Sequence, residues 1–456
     1  MGKVILFIIT VILAAGTAFA ELEIPVENTD MKLGITGAGW EEFGQFVYYN
    51  NISNTDEHAL WISRTFLDLV FNATYRERLK VSLGIEGRMW FNIPKASGTG
   101  QATYVHQQNS DLIVSDANVS YTLGDLDAPI LTAKAGLFPF KYNKDVRNLG
   151  EYLFRSGTYP AYLINNFDLP FARLTGLELE SHPVEGLLLQ GILSMETRIP
   201  PFNDASLTLL AGYNFRNIVD VGLGAQAAHL ISVDERQTTS KVDRNIFIKE
   251  NGDVGYYTIR GTKIMGRLSF DLVQLLRTVL STDLSMFGKE DCKLYSEAAI
   301  LGVKSYPCND SVTLLSPTAG SGKNYWGYDD LKKKIPIMFG VNVPTFKILD
   351  VFALEFEYYG SPYPNSYKNR LGPGPDPSVP VPDAPIHLDY NEYDTDNWKW
   401  SVYLKKTFFD GRLGLVTQFA RDHIRNETLM PESFDYEEAL SKGNHWWWMG
   451  KIVGSF

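Results

Sequence analysis

Over long stretches of this chain, apolar residues recur at every second position with polar or charged residues between them. In residues 61–75, Trp61, Ser63, Thr65, Leu67, Leu69, Phe71, Ala73 and Tyr75 share one side, opposite Arg64, Asp68, Asn72 and Thr74. Arg76-Glu77 turns the chain. Leu79, Val81, Leu83, Ile85, Gly87, Met89 and Phe91 then line one face of the next segment, against Lys80, Ser82, Glu86 and Arg88. A period of two is the signature of a β-strand with two unlike faces. Segments this long exceed the usual strand of about 5–6 residues.

The same alternation predicts strands over residues 31–39, 61–75, 79–91, 111–123, 130–138, 173–181, 187–196, 206–214, 218–231, 256–270, 293–304, 333–343, 350–359, 398–408, 412–423 and 445–456. This makes about sixteen strands, an even number, with connections that are alternately short and long. Residues 40–57 read as an Asn-rich loop. Residues 360–397, with Gly-Pro-Gly-Pro-Asp-Pro at 372–377, read as extended loop of polyproline character. Two stretches break the period. Residues 271–281 carry Leu272, Leu275, Leu276 and Val279 at helical spacing. Residues 145–155 place Val146, Leu149 and Leu153 on one side of a short helix, with a cap at Asn143 or Asp145 and Gly157 as a stop.

Lys3, the apolar run 4–13 and Ala18-Phe19-Ala20 have the form of a cleaved secretory signal peptide, leaving residues 21–456 as one domain. No later apolar run reaches the roughly 20 residues of a membrane helix. Export, two-faced strands and abundant Tyr, Phe, Trp and Gly therefore point to a closed barrel, the other structure that satisfies its backbone in lipid. A charge on the lipid side costs roughly 2–4 kcal/mol at the midplane, so the charged faces must line the lumen.

Acidic residues outnumber basic ones, 53 to 42, which argues against nucleic acid as a partner. Zinc-helix, phosphate-loop and nucleophile-elbow motifs are absent from the sequence, so neither an enzyme nor a cofactor is expected. Cys292 and Cys308 are expected to stay unbonded, because a strand between them holds their ends roughly 40 Å apart.

The C-terminal run, with Trp446, Trp448, Gly450, Ile452, Gly454 and Phe456 on one face, resembles the assembly signal of Gram-negative outer-membrane barrels. It departs from that signal at Gly454, where a large apolar residue is usual. With its alternation, loop parity and aromatic strand ends, the mature chain resembles the porins and porin-like proteins of that membrane. The resemblance implies a passive channel for small hydrophilic solutes, spanning the outer-membrane lipid bilayer, and allows for a homo-oligomer.

By strand count, residues 139–172 form the third external loop, which in general porins folds into the barrel. Arg147, Glu151 and Arg155 are then its channel-facing candidates; the alternative is that the segment is an external lid helix. On the wall, Arg64, Lys80, Arg88, Lys399, Lys405, Arg412 and Lys451 form a basic strip on neighbouring strands, with Glu178, Glu180 and Glu196 on another pair. Such strips either set a transverse field for polar solutes or pair with other lumen charges. The alternative function is an occluded barrel that acts in surface adhesion or as a scaffold through its long external loops.

Overall fold

The computed structural model of the chain describes residues 22–26, 29–50, 56–91, 94–96, 102–104, 109–126, 129–155, 172–195, 197, 203–231, 246–248, 254–256, 261–280, 284–300, 335–358, 398–422 and 443–455. Residues 1–20, read above as a signal peptide, Glu196, Cys308 and the proline-rich stretch 360–397 lie outside the described residues.

Sixteen strands make one wall: β1 (Met31–Asn50), β2 (Asp56–Tyr75), β3 (Leu79–Phe91), β4 (Asn109–Gly124), β5 (Pro129–Phe140), β6 (Ala172–Ser181), β7 (Leu187–Met195) and β8 (Ala205–Phe215) form its first half. The second half is β9 (Val219–Ile231), β10 (Gly261–Asp271), β11 (Lys293–Ile300), β12 (Ile337–Asn342), β13 (Val351–Tyr358), β14 (Trp398–Phe408), β15 (Leu413–Arg421) and β16 (Trp446–Ser455). Each strand pairs antiparallel with the next. Strand β16 returns to β1, from Ala38↔Ser455 to Tyr48↔Trp446, and closes the barrel. Closure gives every wall strand a partner on both sides. Gly454 pairs with Gly39 across this seam, and the short strand Leu22–Pro25 continues it by pairing with Lys32–Ile35 of β1.

The faces divide as the alternation requires. Leu67, Phe71, Val81, Leu83, Leu177, Leu209, Leu223, Phe339, Phe356 and Leu415 are exposed on the outside, while Arg64, Glu86, Glu297, Glu355, Glu357 and Lys399 are buried on the inside. Glu41 is a carboxylate on the outward side of β1. It accepts hydrogen bonds from the Ser63 and Thr65 hydroxyls and lies one residue pair from the aromatic cluster of Phe43, Trp61 and Trp448. Trp446 and Trp448 follow the expected outward parity. Trp447 does not belong to the outer girdle: it is fully buried and its indole N–H donates to Asp422 at 3.2 Å.

Residues 40–57 are the main correction to the predicted elements. They extend β1 and β2 into a hairpin of two 20-residue strands, joined across residues 51–55. Glu41, Glu42 and Gln45 interrupt the apolar period there, yet continuous pairing from Met31↔Tyr75 to Asn50↔Asp56 holds the strand conformation. Strand β3 reaches only Ser63 of β2, so the hairpin tip rises beyond its neighbour.

At the opposite end the connections are tight. Arg76-Glu77, Arg216-Asn217 and Phe346-Lys347 each place two successive residues at positive φ, the backbone that a two-residue hairpin turn requires. The one long link at this end carries the predicted helix, α2 (Leu272–Leu280), capped by Asp271, whose carboxylate accepts the Gln274 N–H at 2.7 Å. Cys292, just before β11, has a free thiol. Burial, together with Asp291 and Asp271, pushes its pKa up, so it stays protonated at neutral pH.

Candidate functional site

Between β5 and β6 the chain turns inward. Residues 141–155 pack against the inner faces of β5 to β12, where Val146, Leu149, Leu153 and Phe154 meet Phe138, Leu174, Ile192, Leu210, Met265, Tyr295 and Met338 in one buried cluster. Gly222 and Gly224 of β9 leave the space this requires. A Cβ at Gly224 would come within 2.5 Å of Leu153, and one at Gly222 within 2.4 Å of the Tyr142 hydroxyl. That hydroxyl lies 2.8 Å from the Leu223 carbonyl and 3.0 Å from that of Ala211, and the Arg267 guanidinium sits over its ring.

Wall carboxylates hold the loop's backbone. Glu355 accepts the N–H groups of Arg147, Asn148 (2.8 Å) and Leu149 (2.9 Å), besides the Tyr295 hydroxyl at 2.9 Å. Glu297 accepts the Tyr152 N–H at 2.8 Å and the Asn143 side-chain amide at 3.1 Å. The Tyr152 hydroxyl donates to Glu357 at 2.8 Å, and the Asn148 side chain donates to Asp422 at 2.6 Å. Three strand-borne acids and Asp422, just past the end of β15, thus clamp the segment 141–155.

These contacts explain why the expected helix over 145–155 does not form. Only one helical turn, α1 (Tyr152–Arg155), is present. The N–H groups of residues 147–149 point to a wall carboxylate instead of to carbonyls four residues back. Gly150 and Glu151, at φ +87° and +60°, then break the helical path. The three apolar residues read as one side of a helix are buried nonetheless.

The predicted loop side chains divide in the same way. Arg147 lies at the lumen and pairs with Glu290 at 2.9 Å. Glu151, expected to face the channel, instead folds back into the loop, where it is buried and accepts the N–H groups of Tyr142 (3.2 Å) and Asn143. Burial raises its pKa, against the pull of Lys141 and those two N–H groups. Arg155 ends the helical turn, and its side chain lies outside the described set. Lys141 donates to the Val146 carbonyl at 2.6 Å, and burial lowers its pKa to about 8.

On the wall, the basic strip is interrupted by acids. Glu42 stands between Arg64, at 2.7 Å, and Lys451, at 3.5 Å, while Lys451 also covers the Trp40 ring at 4.6 Å. Arg88 and Arg173 both pair with Glu86. On the other strand pair, Glu178 accepts from Lys134 at 2.8 Å and Gln190 at 3.0 Å, and Glu180 is bonded to Gln190 at 2.8 Å and His182 at 3.1 Å. Lys399 is buried, opposite Glu357 in the β13–β14 register. Lys80 is exposed at the start of β3. Arg412 is not a wall residue: it lies exposed in the turn before β15. Glu42 is not legible from the sequence, in which residues 40–57 read as an Asn-rich loop and carry no clear alternation around it. In the sequence, Glu355 and Glu357 alternate with Phe352, Leu354, Phe356 and Tyr358 and so fall on the polar, inward face of their strand. Glu297 was missed, and nothing local shows that any of the three holds a loop.

A closed antiparallel wall of sixteen strands, apolar outside and charged inside, with a loop clamped in its lumen, defines the class: a transmembrane β-barrel. No family model matches the chain, and no curated protein matches it. Among solved structures it is similar to Salmonella typhi OmpF in complex with daunomycin, at 11% identity and TM-score 0.48 over 95% of this chain and 100% of that one. It is similar to Pseudomonas putida OprB, at 9% identity and TM-score 0.46 over 94% of each chain. A mutant Rh. blastica porin is another, at 7% identity and TM-score 0.42 over 92% of this chain and 100% of that one. Among the described residues, no group of three or more His, Cys, Asp or Glu side chains is placed to hold a metal ion.

Proposed function

We propose that this protein is an outer-membrane channel for passive diffusion of small hydrophilic solutes, with the loop of residues 139–172 narrowing its lumen. The observation that carries this reading is the clamped segment 141–155, which lies against the inner wall of a closed barrel and is bonded to Glu297, Glu355, Glu357 and Asp422. A loop serving only as an external lid would not need inward carboxylates on three separate strands or at their ends. The charged lining supports a wet lumen, since so many ionised groups cannot be held in a dry one without heavy desolvation cost. Arg147, at the lumen side of the loop, is the constriction residue of this proposal.

The test is reconstitution of the purified mature chain in planar bilayers and solute-loaded liposomes. Discrete conductance steps and leakage of small sugars are expected. Membranes that stay tight at high protein loading would rule the channel out. Recovery in the outer-membrane fraction, with residues 1–20 removed, is expected of the native protein.

A further inference from the structure

Beneath the clamped loop, at the short-turn end, lies a cavity of about 1750 Å³. The loop's first residues form its ceiling, and the turns before β7, β9 and β13 form its rim. Its lining carries ten lysines and arginines against six aspartates and glutamates, in a chain whose net charge is −11. The cavity therefore runs opposite in sign to the whole molecule.

The acids in it are already engaged. Arg147 pairs with Glu290 at 2.9 Å, and Lys293 sits between Glu290 at 3.1 Å and Asp145 at 3.6 Å. Arg267 pairs with Asp220, and Lys406 with Asp350 at 3.2 Å. Asp271 caps α2, and Glu180 is bonded to Gln190 and His182. Lys144, Lys289 and Lys347 remain exposed at the lining, and Lys405 projects from the wall beside them.

We propose that this mouth is an anion vestibule, drawing small multivalent oxyanions of the phosphate or dicarboxylate type into the pore and making it anion-selective. A cleft lined by one sign of charge between low-dielectric walls focuses its field and raises the local concentration of counter-ions. The inference rests on the channel reading and names its solute class. None of these lysines makes the bonds to Glu297, Glu355, Glu357 or Asp422 that hold the loop. Lys144 is exposed on the loop itself and Lys289, Lys347 and Lys405 lie outside it, so they can be changed while those bonds stay.

The experiment is a reversal potential across a planar bilayer holding the full mature chain, under a salt gradient of about tenfold in potassium chloride. Chloride is expected to permeate over potassium by about threefold or more, the effect of a local potential on the order of kT. Millimolar inorganic phosphate is expected to reduce the chloride current. A triple variant carrying Lys144→Glu, Lys289→Glu and Lys405→Glu should conduct with the selectivity abolished or reversed, and Lys→Arg at the same positions should keep it. A neutral Lys→Gln triple variant gives the same reading if the acidic one assembles poorly. A conducting pore that prefers potassium, or one whose selectivity survives both triple variants, overturns the vestibule and leaves the channel standing. Absence of any conductance overturns the channel reading, and the vestibule with it.

Discussion

Glu355 concentrates three backbone N–H groups and a tyrosine hydroxyl on one carboxylate. Hydrogen bonds to a charged group each contribute roughly 1.5–3 kcal/mol. Glu355→Gln keeps the size but replaces one acceptor oxygen with a donor that faces other donors. The expected outcome is an intact barrel with a loosened loop, seen as larger, noisier single-channel currents and as new protease cleavage within residues 141–155. Wild-type currents and cleavage in that variant would count against the clamp. Lys141 supplies a titration. Burial disfavours its charged form, so it is cationic below about pH 8 and neutral above it. The groups acting on it are Glu151, Arg147, Glu355 and Asp145. Raising the pH from 7 to 9 is therefore expected to lower anion preference, and Lys141→Met should remove that step from the pH profile.

At the scale of elements, loop and wall fit by volume. Gly224 faces Leu153 at a distance that leaves no room for a side chain. Gly224→Val is expected to cost about 1–3 kcal/mol by overpacking and to push the loop off β9. Strand content by circular dichroism should hold while conductance rises. This part of the site was only half legible. The sequence shows Val146, Leu149 and Leu153 needing an apolar surface, and shows Glu355 and Glu357 pointing inward. It does not show that the two meet, because they lie some 200 residues apart. The helix expected over 145–155 failed for the same reason: distant carboxylates compete for the N–H groups a helix would use. By contrast, α2 was legible because its spacing and its Asp271 cap are local.

For the molecule as a whole, lipid and water divide the barrel's residues between its two faces. Replacing Leu83, exposed on the outer belt, with arginine is expected to destabilise the barrel by roughly 2–4 kcal/mol. Arginine at the neighbouring inward Ser82 should cost much less. Urea titration of vesicle-reconstituted protein compares the two, and equal losses would contradict the assigned faces.

Strand number, closure of the last strand on the first and the facing of most side chains were determined by sequence alone, because a period of two and the cost of exposing charge to lipid are local rules. Tertiary structure decided the rest. Neighbouring strands kept residues 40–50 in the sheet and set Glu42 between two cations. Wall acids drew the third long loop inside. The turns collected the surplus lysines at one mouth. Each of these depends on which residues a closed ring brings side by side, and no single segment carries that information.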